Sequence, residues 1–161
     1  MNKPDWNIGY TTRNHLCIDL DNASYYKVRS LVNLLMCSYP EIGDCIIMQS
    51  STVNQIERWI YPVQQQPRKQ VKRDNYHVIF NNFLLYETCC RIIETLAFLG
   101  VLNEEYIRIR EMRNDMTLRV SKTVCVEYTK PKPVFIEYIQ NRKSNNHGQG
   151  IYLYNKLRKN I

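Results

Sequence analysis

No run of apolar residues in this chain is long enough to cross a bilayer. The two longest strongly apolar stretches, residues 31–37 and 96–102, fall far short of the ~20 residues a spanning helix needs. The opening residues Met1-Asn2-Lys3-Pro4-Asp5-Trp6 are polar and include an acid, which argues against a secretory signal. An intracellular, cytoplasmic protein is therefore expected. No C-x-x-C pair occurs among the six cysteines, and only Cys89 and Cys90 are neighbours. Several lie inside apolar runs, where a free thiol behaves as a small buried hydrophobe. The last 21 residues hold no acid at all. No internal repeat, low-complexity tract or domain boundary interrupts the 161 residues, so one domain over 1–161 is expected.

What is present suffices for a core. Hydrophobic residues make up 44% of the chain and charged residues 23%, close to the globular average. A domain of this length buries roughly two-thirds of its unfolded surface without disulfides or a structural metal.

The net charge of +7 is unevenly placed. Residues 1–63 carry six acids against five bases, whereas residues 64–74 contribute +3 and residues 141–161 contribute +5. The basic loop brings Arg68, Lys69, Lys72 and Arg73, and the tail brings Arg142 and Lys143. Such clusters often end as solvated loops and termini. Two of them on one small domain are also the electrostatic footprint of a phosphate-backbone partner.

Periodicity outlines an α+β fold. His15-Leu16-Cys17-Ile18-Asp19-Leu20-Asp21 alternates as a strand does. Ser24 is a plausible N-cap, and Val28, Leu31, Val32, Leu35 and Met36 then form the stripe of an amphipathic helix. Residues 45–48 and 76–80 read as strands, with a long loop over 52–75 between them. A helix is predicted from about 84 to 99, with Gly100 as its C′ residue. Residues 104–110 and 116–120 read as two further strands joined by a turn at Arg113-Asn114-Asp115, and 124–128 and 133–139 as appended ones. The tail 141–161 has no predicted element. The order suggests a split β-α-β core over about 10–125, with both helices on one face of a mostly antiparallel sheet and the other face free.

Three groups of residues carry chemistry. Asp19 and Asp21 stand two apart on a strand, so their side chains leave the same face. Paired carboxylates repel and call for a cation or a shared proton; Mg²⁺ or Mn²⁺ accepts such oxygen ligands and bridges to substrate phosphates. Alternatively Asp21 caps the following helix with Asn22 and Ser24, and Asp19 is a rim residue, although a cap accounts for only one of the two acids. His77 faces opposite to Tyr76 and Val78. A lone histidine on a strand is commonly structural, but beside the aspartate strand it would meet the same face and could bind a phosphate oxygen. Arg119 and Ser121 share one face of their strand, with Arg113 and Lys122 nearby. They form either a phosphate- or template-binding surface or a charged, protected sheet edge.

Together these residues resemble the archaeo-eukaryotic primases, the primase–polymerase superfamily. Cys17-Ile18-Asp19-Leu20-Asp21 is similar to that family's hydrophobic-Asp-hydrophobic-Asp motif. Asn75-Tyr76-His77-Val78-Ile79-Phe80, following Gln49-Ser50-Ser51, resembles its histidine strand after a serine-bearing strand. Leu118-Arg119-Val120-Ser121-Lys122 resembles its basic strand. The resemblance implies an RRM-like core and template-directed nucleotidyl transfer with Mg²⁺ or Mn²⁺ on Asp19 and Asp21. Ser50, His77, Arg119, Lys122 and Arg113 would face phosphates. It also implies single-stranded DNA and nucleoside triphosphates as partners, a helicase or other replication protein beside them, and a viral or plasmid replicon as the setting. The family's third metal-binding acid would fall near Arg108, so Glu111 or Asp115 would have to replace it. Two other readings compete. One is a catalytically inactive RRM-like module holding single-stranded nucleic acid by stacking on Tyr76 and Phe80 with help from the basic loop. The other is a plain interaction domain. Rolling-circle nucleases need a His-hydrophobic-His pair, which His15, His77 and His147 do not form.

Overall fold

The computed structural model describes residues 9–52, 73–124, 129–145 and 147–160. A short β1 (Gly9–Thr12) precedes β2 (Cys17–Ser24), α1 (Tyr25–Ser38), a 3₁₀ turn (Pro40–Ile42) and β3 (Cys45–Thr52). After them come β4 (Arg73–Phe80), α2 (Tyr86–Phe98), α3 (Glu104–Arg113) and β5 (Met116–Arg119). The chain closes with β6 (Thr123–Val124), β7 (Thr129–Lys130), β8 (Val134–Ile139) and α4 (Gly150–Lys159). The fold is α+β. Four strands form an antiparallel sheet in the order β2-β4-β3-β8, while β1 pairs with β5 and β6 with β7.

Local chemistry places these elements. The Ser24 hydroxyl accepts the Lys27 backbone N–H at 3.1 Å and caps α1, satisfying one of the donors a helix start leaves open. The stripe expected from periodicity, Val28, Leu31, Val32, Leu35 and Met36, is the one α1 buries. On α2 the buried residues are Cys89, Ile92, Ile93 and Leu96. Leu85 and Leu99 lie just outside this helix as its caps and are exposed. Gly100 has a φ of 70°, the left-handed turn that glycine enters without strain.

Two element assignments change, and of the strand expected over 124–128 all but Val124 lies outside the described residues. Residues 104–110 form a helix rather than a strand. Asn103 accepts the Glu105 backbone N–H at 2.8 Å, Glu104 and Glu105 open the first turn, and Arg110 and Arg113 close the last. Acids at a helix start and bases at its end oppose the backbone dipole; Asn114 then ends the helix at a φ of 56°. The basic tail holds α4, whose Tyr154 is fully buried with its ring edge-on to Tyr10 at 5.7 Å. Gly148 lets this segment pass β4, because a Cβ there would stand 1.8 Å from the Asn81 carbonyl oxygen.

The sheet is covered on both sides. Tyr25 at the start of α1 meets Tyr76 of β4, ring centroids 6.1 Å apart. The pleat therefore turns Ile18, Leu20, Ile47 and Val78 toward α1, and all are buried. The opposite residues Cys17, Ile46, Met48, His77 and Ile79 are buried as well, so the second face, expected to be free, is covered at these positions. β8 is an edge strand, with Val134, Phe135, Ile136 and Tyr138 exposed. Tyr76 and Phe80 are buried, which removes the stacking platform that the nucleic-acid-module reading required. No helix among the described residues is long and apolar enough to cross a membrane.

Candidate functional site

A pocket lies where β2, β3 and β4 are irregular. Asp19 stands directly opposite His77 in the β2–β4 ladder, and His77 stands opposite Met48 of β3. The Asp19 carboxylate approaches the His77 Nε2 to 3.7 Å, close but longer than a hydrogen bond. Two residues further on, both neighbours of β4 carry a bulge. Asp21 and Asn22 together oppose the single residue Asn75, and Ser50 is the extra residue of β3. Bulges bend a strand and re-aim its side chains. Here the Asn75 side chain spans both: its Oδ1 accepts the Asn22 backbone N–H at 2.8 Å, and its Nδ2 donates to the Ser51 hydroxyl at 2.7 Å. Asn22 has a φ of 49°, a left-handed conformation asparagine tolerates better than most residues. Asp19, Asp21, Ser50, Ser51 and His77 consequently share one cavity of about 240 Å³.

The opposite wall comes from α3. Asn103 both caps this helix and donates its Nδ2–H to the Asp21 carboxylate. The Tyr106 hydroxyl donates to the Cys17 carbonyl, seating the helix against β2. Glu105, Ile109 and Arg110 complete this wall, and Arg119 and Lys130 enter from β5 and β7. Arg119 is also a strut: its guanidinium donates to the backbone carbonyls of Ser50, Ser121 and Pro131. It thereby ties β3 to β5 and to the segment leading into β8.

The charges in this space perturb one another. Burial, and after it the Asp21 carboxylate, raises the Asp19 pKa from 3.8 to about 7, against the opposing pull of Lys130 and Arg119. Burial, reinforced by Arg119 and Lys130, lowers the His77 pKa from 6.5 to about 3. Desolvation disfavours whichever form is charged, so the two groups move in opposite directions. His77 is thus a neutral imidazole, not the cation that would most simply bind a phosphate. Its Nδ1 is buried without a hydrogen-bond partner among the described residues.

Of the residues singled out from sequence, Asp19, Asp21, Ser50, His77 and Arg119 come together. The others do not. Arg113 and Asp115 line a separate, more open cavity, with the Arg113 Nε 3.8 Å from the Asp115 carboxylate. Glu111 and Lys122 are exposed and line neither cavity. Arg73 is exposed at the start of β4, and Arg142 and Lys143 are exposed ahead of α4. Arg68, Lys69 and Lys72 fall outside the described residues. Arg108, at the expected place of a third acid, points out on α3 and pairs with Glu105 at 2.6 Å. Sequence reasoning missed Asn75, Asn103, Glu105, Arg110 and Lys130. The Asn103 cap followed by two glutamates was a readable helix start; the spanning role of Asn75 left no pattern.

The donors present limit what a metal could find. Among the described residues no group of three or more His, Cys, Asp or Glu side chains is arranged to hold an ion. Two carboxylates alone nevertheless suit a hard divalent ion that takes its remaining ligands from water and substrate phosphates. Cys17, Cys45 and Cys89 are buried, and burial pushes their thiols up, away from the thiolate a metal needs. No protein-family model, curated protein or solved structure matches the chain.

Proposed function

We propose that the pocket takes a divalent cation, Mg²⁺ or Mn²⁺, together with the phosphates of a nucleoside triphosphate. The protein would then be a metal-dependent, template-directed nucleotidyltransferase of the primase–polymerase kind, acting in replication on a single-stranded DNA template. The observation that supports this most is the carboxylate pair itself. Asp19 and Asp21 share one wall, where burial first and the Asp21 carboxylate second lift the Asp19 pKa to about 7, while Arg119 and Lys130 stand in the same cavity. A carboxylate pair facing cations suits a ligand that brings both a metal and phosphate charge.

The reaction would be attack of a primer 3′-hydroxyl on the α-phosphate, forming a phosphodiester and releasing pyrophosphate. A bound divalent ion would supply charge neutralisation at the reacting phosphate. Asp19 and Asp21 would hold that ion, with Asn103 fixing the Asp21 carboxylate. His77, neutral and buried, would stand beside the Asp19 carboxylate at 3.7 Å. Lys130 and Arg119 would offset the phosphate charge, a preorganised electrostatic contribution. The cavity of about 240 Å³ fits a phosphate chain and an ion rather than a whole nucleotide, so base and sugar would lie outside it.

The test is nucleotide incorporation on a primed single-stranded template with Mn²⁺. Incorporation is expected in the wild-type chain and should fall to background in Asp19→Asn and Asp21→Asn, with the far-ultraviolet circular dichroism retained. Equal incorporation by wild type and both variants would remove the proposal.

A further inference from the structure

Arg110 sits in the last turn of α3 and is only 7% exposed. Its Nη1 donates to the Cys90 sulfur at 3.2 Å, and its Nε is buried without any hydrogen-bond partner among the described residues. No carboxylate lies within salt-bridge distance of it among those residues. A cation taken out of water costs several kcal/mol unless an anion and hydrogen bonds replace its hydration. The neutral Cys90 thiol and the Tyr86 hydroxyl beside it supply little of that. Arg108 and Arg113, on the same helix, each stand within 4 Å of an acid, so the lack of a counter-ion at Arg110 is particular to this position. Arg110 itself lines the cavity, along with Arg119 and Lys130.

We infer that Arg110 is a phosphate-binding residue of this pocket, its unpartnered guanidinium edge receiving a terminal phosphate of a di- or triphosphate chain. An arginine fork matches two phosphate oxygens at once, which a lysine cannot do. A phosphate chain is favoured over a single carboxylate, because three cations, Arg110, Arg119 and Lys130, line one small cavity and match several negative charges better than one. The inference deepens the proposed function by assigning the end of the chain to α3, and it rests on that reading only for the nucleotide to which the phosphates belong.

The experiment uses the full chain and two probes, pyrophosphate in metal-free buffer and Mn²⁺ alone, each titrated by calorimetry. Wild type should bind pyrophosphate. Arg110→Gln should weaken that binding at least tenfold and leave Mn²⁺ binding unchanged, and Arg110→Lys should recover only part of the loss. Asp21→Asn should do the reverse, losing Mn²⁺ and keeping pyrophosphate. Unchanged pyrophosphate affinity in Arg110→Gln would overturn the inference whatever Mn²⁺ does. A wild type that ignores Mn²⁺ but binds pyrophosphate through Arg110 would overturn the nucleotidyltransferase reading alone. Should both Arg110 variants fail to fold, wild-type crystals soaked in pyrophosphate decide. Phosphate density against the Arg110 Nε supports the assignment; density confined to Lys130 and Arg119 refutes it.

Discussion

The two walls of the pocket hold their polar groups by different means. On the sheet wall, Asp19 and His77 are opposed by ladder register, and their surroundings are buried strand residues. On the helix wall, Asn103 and Arg110 depend on where α3 begins and how it lies against β2, which the Asn103 cap and the Tyr106 hydroxyl set. Register is shared among many backbone hydrogen bonds, so single substitutions on the sheet wall should alter chemistry more than geometry. A cap rests on one or two bonds, so substitutions on the helix wall should alter both.

The largest difference should follow removal of a sheet-wall charge. Asp21→Asn is expected to lower Mn²⁺ affinity at least a hundredfold with an unfolding temperature within a few degrees of wild type, read by calorimetry and thermal melting. A large drop in melting temperature would show that the sheet wall is no sturdier than the helix wall. Next is the pH dependence of the ion. Metal binding needs Asp19 ionised and must displace its proton below pH 7, so Mn²⁺ affinity should fall about tenfold per pH unit below that point and level off above it. A flat profile between pH 5.5 and 7 would show that Asp19 is not a ligand.

A third expectation concerns stability and follows from opposite shifts in one cross-strand pair. Folded Asp19, raised from 3.8 to about 7, keeps a proton that the unfolded chain has lost, which favours folding as pH falls from 7 to 4. Folded His77, lowered from 6.5 to about 3, lacks a proton that the unfolded chain has gained, which disfavours folding as pH falls from 6.5 to 3. Over the shared window, about pH 4 to 6.5, the pair holds one proton in either state and the two effects cancel, whichever partner carries it. In Asp19→Asn only the His77 effect remains. The stability of this variant relative to wild type should therefore decline on acidification, by at most about 1.4 kcal/mol per pH unit. Parallel curves for the two proteins in denaturant titrations would refute the linkage. The smallest effect belongs to the helix wall: Asn103→Ala should cost about 1 kcal/mol through the lost cap and weaken Mn²⁺ binding severalfold through a loosened Asp21. Asn103→Asp should restore the cap but not the hold on Asp21, because a carboxylate has no N–H to donate to it.

The same contrast explains what could be read from the amino-acid order. Strand alternation exposed Asp19, Asp21 and His77, and helical spacing exposed the buried stripe of α1, because both follow from one local period. In residues 104–110 the run Ile107-Arg108-Ile109-Arg110 imitates strand alternation, and α3 buries only Tyr106 and Arg110, too few to mark a helical stripe. Its decisive signals are the Asn103 cap, the glutamates behind it and the Glu105–Arg108 pair one turn apart. In α4 the buried Ile151 and Tyr154 are three residues apart, but that spacing was masked by the basic residues around it. The partnership of β1 with β5 joins segments about a hundred residues apart, beyond any local rule. Bulges are invisible to alternation because they are departures from it.

Asn75 therefore matters beyond its two hydrogen bonds. With an extra residue on each side of β4 at the same level, neither β2 nor β3 can slide along it without leaving its own irregularity stranded. The carboxylate-bearing strand and the serine-bearing strand are keyed to a common tooth. A single residue inserted between Asp19 and Ala23 would throw the pocket floor out of mesh, even if every side chain of the cavity were kept.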